Sequence, residues 1–239
     1  MAAVISNAVA AQPSLDGCGL WTVDLEAHPA QDALDTLSRD ELARMERFAF
    51  ERDRLRFASG RVALRWLLGS VLDRDPRQLR FSTGTHGKPS LVDDPDLAFN
   101  LSHSGGSAII AIDAARRHRS IGVDIELRRE VPDALSLARS CFDSEELDAL
   151  AACNASAQDA AFLQGWTRKE ACLKADGAGF AAGAIPSTGI DDSARHVRLH
   201  DGSRAWLLSI QFAHAIAALA VVERCRPDAL HDASPKDVP

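Results

Sequence analysis

From Ile121 to Leu127 the chain alternates: Ile121, Val123, Ile125 and Leu127 are apolar, while Asp124 and Glu126, between them, are acidic. A period of two predicts a strand with one buried face and two carboxylates on the other. About a hundred residues earlier, Leu20 to Glu26 reads L-W-T-V-D-L-E, a second predicted strand with the same D-x-E ending. A helix start follows each strand, a capping side chain with Glu three residues on: Ser38 with Glu41, and Asp143 with Glu146. Longer helical patterns come next, in which Phe57 and Gly60 match Phe162 and Gly165 at one offset. The apolar runs Ala108–Ile112 and Ala215–Leu219 then predict buried strands.

Four matches in one order, at offsets of 100 to 107 residues, predict an internal duplication. The expected fold is α+β, a pseudodimer of two similar halves around a pseudo-twofold axis, with a ligand cleft between them. The expected division is residues 1–118, residues 119–225 and a loose tail over 226–239 that carries three prolines. The join falls near Ala114 to Ser120, where Arg116, Arg117, His118 and Arg119 form a basic link.

Composition narrows the partners. A net charge of -7 argues against a nucleic-acid binder. The five cysteines (Cys18, Cys141, Cys153, Cys172 and Cys225) are scattered and form no C-x-x-C pair. That fits a reducing cytoplasm better than a disulfide frame or a zinc site. No Lys or Arg precedes Arg39, so the basic start of a signal peptide is missing, and no stretch approaches a membrane span. The expectation is a cytoplasmic monomer with no membrane or nucleic-acid partner.

Two carboxylates side by side on a sheet repel each other unless a cation lies between them. A D-x-E strand alone reads more simply as a solvent-facing acidic edge. The helical stretch Trp166-Thr167-Arg168-Lys169-Glu170-Ala171-Cys172-Leu173-Lys174 changes that balance, because Trp166, Glu170 and Lys174 are spaced by four and share a face. Glu170–Lys174 could be an ordinary surface pair. Together with Asp124 and Glu126, however, Glu170 would complete an all-oxygen donor set suited to Mg²⁺, with Mn²⁺ as a substitute. Lys174 would then reach a phosphate as a point charge. In the first half Arg65 and Gly69 stand where Glu170 and Lys174 stand in the second. One metal site is therefore expected, with Asp24 and Glu26 as structural remnants.

Arg44, Arg47, Arg52, Arg54, Arg56, Arg61 and Arg65 crowd the first-half helices, most of them expected on solvated surface and a few toward the cleft. Gly84 to Pro89 reads as a hairpin turn and lacks P-loop spacing. Phe99 to Gly106 reads as a strand entering a polar turn, in which Ser102, His103 and Ser104 could donate to an anion; it is no G-x-S-x-G elbow. Asp176-Gly177-Ala178-Gly179 fits a helix C-terminus better than a phosphate cradle. His196 and His200 lie in a strand-like stretch without zinc spacing.

Taken in order, Gly87-Lys88-Pro89, Phe99 to Ser104, Ile121 to Glu126, Phe142 to Glu146 and W-T-R-K-E-A-C-L-K resemble the Sfp-type 4′-phosphopantetheinyl transferases, across roughly Leu20 to Glu223. The resemblance implies a pseudodimeric α+β enzyme of the holo-[acyl-carrier-protein] synthase type. Such an enzyme moves the phosphopantetheine arm of coenzyme A onto a serine of an apo acyl or peptidyl carrier protein and releases 3′,5′-ADP. It implies Asp124, Glu126 and Glu170 as Mg²⁺ ligands at the pyrophosphate, with Lys174 on a phosphate. Ser102, His103, Arg44 and Arg56 would lie near the 3′-phosphate, and Gly87, Lys88 and Pro89 near the adenine. Glu41 stands where some members carry a basic residue, so contact with the 3′-phosphate is expected to be weaker or differently shared. Glu170 is the first candidate for the base. A metal-dependent carrier-protein phosphodiesterase and a catalytically silent module binding coenzyme A or carrier protein are the competing readings.

Overall fold

A computed structural model describes residues 8–84, 87–177 and 185–223. The first half begins with strands β1 (Val9–Leu15) and β2 (Cys18–Asp24). The short helix α1 (Gln31–Leu34), α2 (Arg39–Glu46) and the long α3 (Glu51–Leu72) follow. A hairpin of β3 (Phe81–Thr83) and β4 (Pro89–Leu91) precedes β5 (Phe99–Ser104) and β6 (Ser107–Ile112). The second half runs β7 (His118–Leu127), α4 (Ala134–Ala138), α5 (Ser144–Ala152), α6 (Ala155–Asp176), β8 (Arg195–Arg198), β9 (Arg204–Gln211) and β10 (Ala215–Glu223).

The duplication is visible in the topology. One sheet has the order β1-β2-β6-β5 and the other β7-β10-β9-β8. Thus β2, β6 and β5 correspond to β7, β10 and β9, and α3 and α6 are both 22 residues long. Both expected capping boxes form. Ser38 and Asp143 accept the N–H of Glu41 and Glu146, and each Glu side chain returns to the cap backbone. Three details differ from the sequence expectation. An edge strand, β1, precedes the first predicted one. The strand over Leu20–Glu26 stops at Asp24, where its carboxylate accepts the N–H of Glu26. The basic link is shorter than expected, because β7 already begins at His118.

Alternation along the central strands builds four layers. Ile109 and Ala111 of β6, Ile121, Val123 and Ile125 of β7, and Ala215, Ala217, Leu219 and Val221 of β10 form the core between the sheets. The opposite faces meet the helices. Ala108, Ile110 and Ile112 pack with Ala63, Leu64 and Leu68 of α3. Ala218, Ala220 and Val222 pack with Ala171, Cys172 and Ala175 of α6. The small residues on that second helix-facing row let α6 lie close to its sheet.

The arginine-rich helices are less solvated than the sequence suggests. Arg65 is 1% exposed and donates to Glu41 Oε2 (2.7 Å) and to the carbonyls of Pro76 (2.7 Å) and Leu79 (3.1 Å). Arg61 binds the other Glu41 oxygen at 2.6 Å. Two guanidinium groups and the capping box therefore converge on one carboxylate. Burial alone would raise the Glu41 pKa, but Arg61, the Ser38 N–H and Arg65 outweigh it and hold it below the ordinary value. In the second half Glu146 occupies the same capping position and pairs with buried Lys169 at 2.6 Å. The buried cation has moved along the helix, which leaves position 170 open for a different use.

Candidate active site

Gly122 decides how closely α6 approaches β7. It lies on the same strand face as Asp124 and Glu126. A Cβ there would fall inside the van der Waals shells of the Ala171 carbonyl and the Ala175 nitrogen. The helix backbone thus rests directly on the strand, one residue pair from the two carboxylates. From Phe162 to Ala175, α6 is buried at every position except Trp166, Glu170 and Lys174, which are half-buried. The stripe read from the sequence is therefore the one line along which this part of the helix is not fully buried.

The opposite wall comes from β5. Asn100, Ser102 and Ser104 alternate along that strand and face β7. Asn100 Oδ1 accepts the Val123 N–H at 2.9 Å, Ser102 Oγ donates to Asp124 Oδ1 at 2.7 Å, and Ser104 Oγ donates to Glu126 Oε2 at 2.9 Å. This polar ladder joins the two halves and orients both acids. Ser102 and Ser104, expected as free anion donors, are thus engaged with carboxylates. A sequence signal was available, since Asn100, Ser102 and Ser104 recur with period two, although only Phe99 and Leu101 beside them are apolar.

Lys174 reaches across the same place. Its Nζ donates to Asp124 Oδ1 at 2.6 Å and to Ser102 Oγ at 2.9 Å. The helix-surface pair Glu170–Lys174 is replaced by an ion pair between helix and strand. Asp124 is 5% exposed, and its second oxygen, Oδ2, is buried without a hydrogen-bond partner. Burial pushes the Asp124 pKa up more than Lys174 and Ser102 lower it. Glu170 is raised too, first by burial and then by the Asp124 and Glu126 charges, against an opposing contribution from Lys174. These mutual influences place Glu170, Asp124, Glu126 and Lys174 in one electrostatic neighbourhood.

The chemistry of this donor set fits a hard divalent cation: carboxylates only, one oxygen buried and unsatisfied, and repulsion that a cation would relieve. As the side chains stand, no three His, Cys, Asp or Glu groups among the described residues are gathered tightly enough to hold a metal ion. Lys174 supplies the local positive charge instead.

The other expected site residues divide into two groups. His103 lies in this neighbourhood, and partial desolvation, then Lys174 and then Arg56, lower its pKa despite the nearby Asp124 and Glu126. Arg56 is paired with Glu26, so Glu26 holds in place a cation that acts on His103. Arg44 is exposed and stands over the Phe57 ring at 5.4 Å. Glu41, the departure from the family pattern, is consumed by Arg61 and Arg65 within the fold. Gly87 closes the β3–β4 turn at φ 83°, donating to the Gly84 carbonyl. Pro89 pairs with Thr83 at the start of β4. Lys88 extends into the second half and bonds Ser120 and the backbone of Ile121 and Lys174. Thr85 and His86 of the turn, Ala178 and Gly179 after α6, and the tail over 226–239 lie outside the described residues.

The remaining motifs are structural. Gly177 ends α6 in the left-handed region at φ 79°. His196 packs on the Trp206 ring at 4.7 Å. Cys141, Cys153 and Cys172 are free thiols, while Cys225 is outside the described residues. Among the described residues no helix is long and apolar enough to cross a membrane.

Comparison with known proteins agrees with both halves of this architecture. Residues 120–222 match the model of the 4′-phosphopantetheinyl transferase superfamily, and residues 24–115 match that of the 4′-phosphopantetheinyl transferase N-terminal region. The chain is 40% identical over 171 residues to the 4′-phosphopantetheinyl transferase HetI of Nostoc sp., covering 70% of this chain and 71% of that protein. It is 33% identical over 145 residues to the 4′-phosphopantetheinyl transferase Sfp of Bacillus subtilis, covering 61% and 62%. A mouse relative, L-aminoadipate-semialdehyde dehydrogenase-phosphopantetheinyl transferase, is 27% identical over 184 residues, covering 70% and 58%. Two matched halves, a duplicated α+β fold and strand carboxylates beside the second long helix lead to one assignment: the chain belongs to the 4′-phosphopantetheinyl transferase family and is a transferase.

Proposed function

We propose that this enzyme transfers the 4′-phosphopantetheine group of coenzyme A to a serine of an apo acyl or peptidyl carrier protein, with release of 3′,5′-ADP. Asp124, Glu126 and Glu170 would hold Mg²⁺, with Mn²⁺ as a substitute. When bound, the ion would neutralise charge on the pyrophosphate. The observation that carries the proposal is Asp124 Oδ2, buried and unpartnered beside a second strand carboxylate and under the stripe of Glu170 and Lys174.

The chain's own groups account for the remaining chemistry. As the carrier serine attacks the β-phosphorus, negative charge grows on the departing phosphate, and Lys174 stabilises it electrostatically. The serine hydroxyl loses its proton to Glu170, the half-buried carboxylate on the Trp166–Glu170–Lys174 stripe of α6. Arg56 and His103 receive the 3′-phosphate, with Arg44 at its rim, while the Ser102 hydroxyl stays on Asp124 and Lys174. Gly87, Lys88 and Pro89 border the adenine.

A panel of apo-carriers incubated with coenzyme A and Mg²⁺, read by mass spectrometry, tests the activity directly. The wild type should add one phosphopantetheine mass, and Asp124→Asn or Glu170→Gln should abolish the gain with the fold intact. Near-normal turnover by either variant would refute the assigned roles. Loss of the arm from a loaded carrier in the absence of coenzyme A would indicate a phosphodiesterase instead.

A further inference from the structure

The last four carbonyls of a helix have no partner within it. At the end of α6 the Leu173 carbonyl is capped by the Gly177 N–H at 2.9 Å. The next two are satisfied from outside the helix. Lys88 Nζ donates to the Lys174 carbonyl at 2.6 Å, and Ser120 Oγ donates to the Ala175 carbonyl at 2.7 Å. The same ammonium also donates to Ser120 Oγ at 2.6 Å and to the Ile121 carbonyl at 2.9 Å. Lys88 belongs to the first half, in the β3–β4 turn, while every one of these acceptors belongs to the second half. Its positive charge sits at the negative end of the α6 dipole, where a cation is favoured.

We propose that Lys88 is a positioning residue: it anchors the end of α6 from the opposite half and thereby fixes where Lys174 projects. The anchor point is the carbonyl of Lys174 itself, the residue whose ammonium lies on Asp124. Releasing it frees the last turn of α6 to fray, and Lys174 loses its defined reach although its own side chain is unchanged. The turn proposed to border the adenine is thus tied to the helix proposed to carry the chemistry. The inference rests on the role of Lys174 given above.

A residue that only touches the nucleotide and a residue that positions Lys174 differ in kinetics. Losing a ground-state contact raises KM, whereas misplacing a group used in the transition state lowers kcat. A displacement of about 1 Å costs roughly a hundredfold in rate. Lys88→Met should therefore lower kcat at least tenfold, on the order of the lower part of that range, per site competent to bind coenzyme A, with a smaller rise in KM for coenzyme A from the lost border contact. Lys88→Arg, which keeps the charge at the helix end, should recover part of the loss. Hydrogen exchange should quicken in the last turn of α6 and leave α3 unaffected. If Lys88→Met does not fold, Ser120→Ala removes the neighbouring cap and should lower kcat several-fold.

A raised KM at normal kcat in Lys88→Met, or unaltered exchange at the α6 end, would overturn the proposal. So would unchanged kinetics in Ser120→Ala. Failure of the underlying role looks different: Lys174→Met would then turn over normally, while Lys88→Met would still loosen the helix end.

Discussion

Lys174 Nζ lies 2.6 Å from Asp124 Oδ1, so the cation of α6 occupies one oxygen of the strand carboxylate proposed as a metal ligand. A divalent ion on the unpartnered Oδ2 would therefore compete with Lys174 for the charge of one carboxylate, and the two cations would repel each other. Lys174→Met should bind Mn²⁺ more tightly than the wild type in the absence of coenzyme A, by roughly fivefold, given about 1 kcal/mol for a partly exposed ion pair. The same variant should lose transfer activity. Isothermal titration with Mn²⁺ measures the first effect, and unchanged or weaker binding would contradict the competition.

Gly122 permits the contact of α6 with β7. Gly122→Ala inserts a methyl group against helix backbone, which cannot rotate away, so the helix itself must shift. The expected cost is about 3 kcal/mol, at the upper end for overpacking. Turnover should fall further than the folded fraction does, because Glu170 and Lys174 move with the helix. Denaturant melts together with kcat on folded protein check this; a variant of wild-type stability would show that the helix is not seated as described.

Glu41 gathers Arg61, Arg65 and the cap N–H of Ser38. Its native pKa lies below the unfolded value, so its stabilisation is complete above the ordinary glutamate range and is lost as pH falls through the native value. Glu41→Ala should cost about 3 kcal/mol at neutral pH, since two partly or fully buried guanidinium groups lose their partner. The gap between variant and wild type should narrow on acidification. Thermal melts from pH 7 to about 3 would show this convergence; a constant gap would rule the mechanism out.

The Cys18 and Cys172 thiols are both pushed up to about 12, chiefly by burial. Thiolate is the reactive form, so both should resist alkylation of the native protein at pH 8 and react only after unfolding. Peptide mapping after iodoacetamide treatment would find them unlabelled. Cys141 and Cys153, both half-buried, should be labelled ahead of them.

Much of this was legible along the chain because its physics is local. Period-two alternation announced β7 and its two acids. Spacing by four announced the Trp166–Glu170–Lys174 stripe, and Ser38/Glu41 with Asp143/Glu146 announced two helix starts. The repeat was legible for the same reason, since each half must bury the same faces. Arg65 was misjudged as one of a solvated row, because its burial depends on Glu41 and on carbonyls of a turn beyond the helix. Glycine at 122 carried no signal along the chain, because its purpose depends on a helix fifty residues away in sequence.

The amino-acid order by itself determined the elements, their duplication and which residue types could bind a cation or a phosphate. The tertiary structure alone decided that Lys174 pairs with Asp124 instead of Glu170. It alone decided that Ser102 and Ser104 brace acids across the two halves, and that Lys88 holds the end of a helix in the other half. Those pairings are set by which edges and faces meet when the two sheets pack. Burial then makes each unsatisfied polar group costly enough to select its partner.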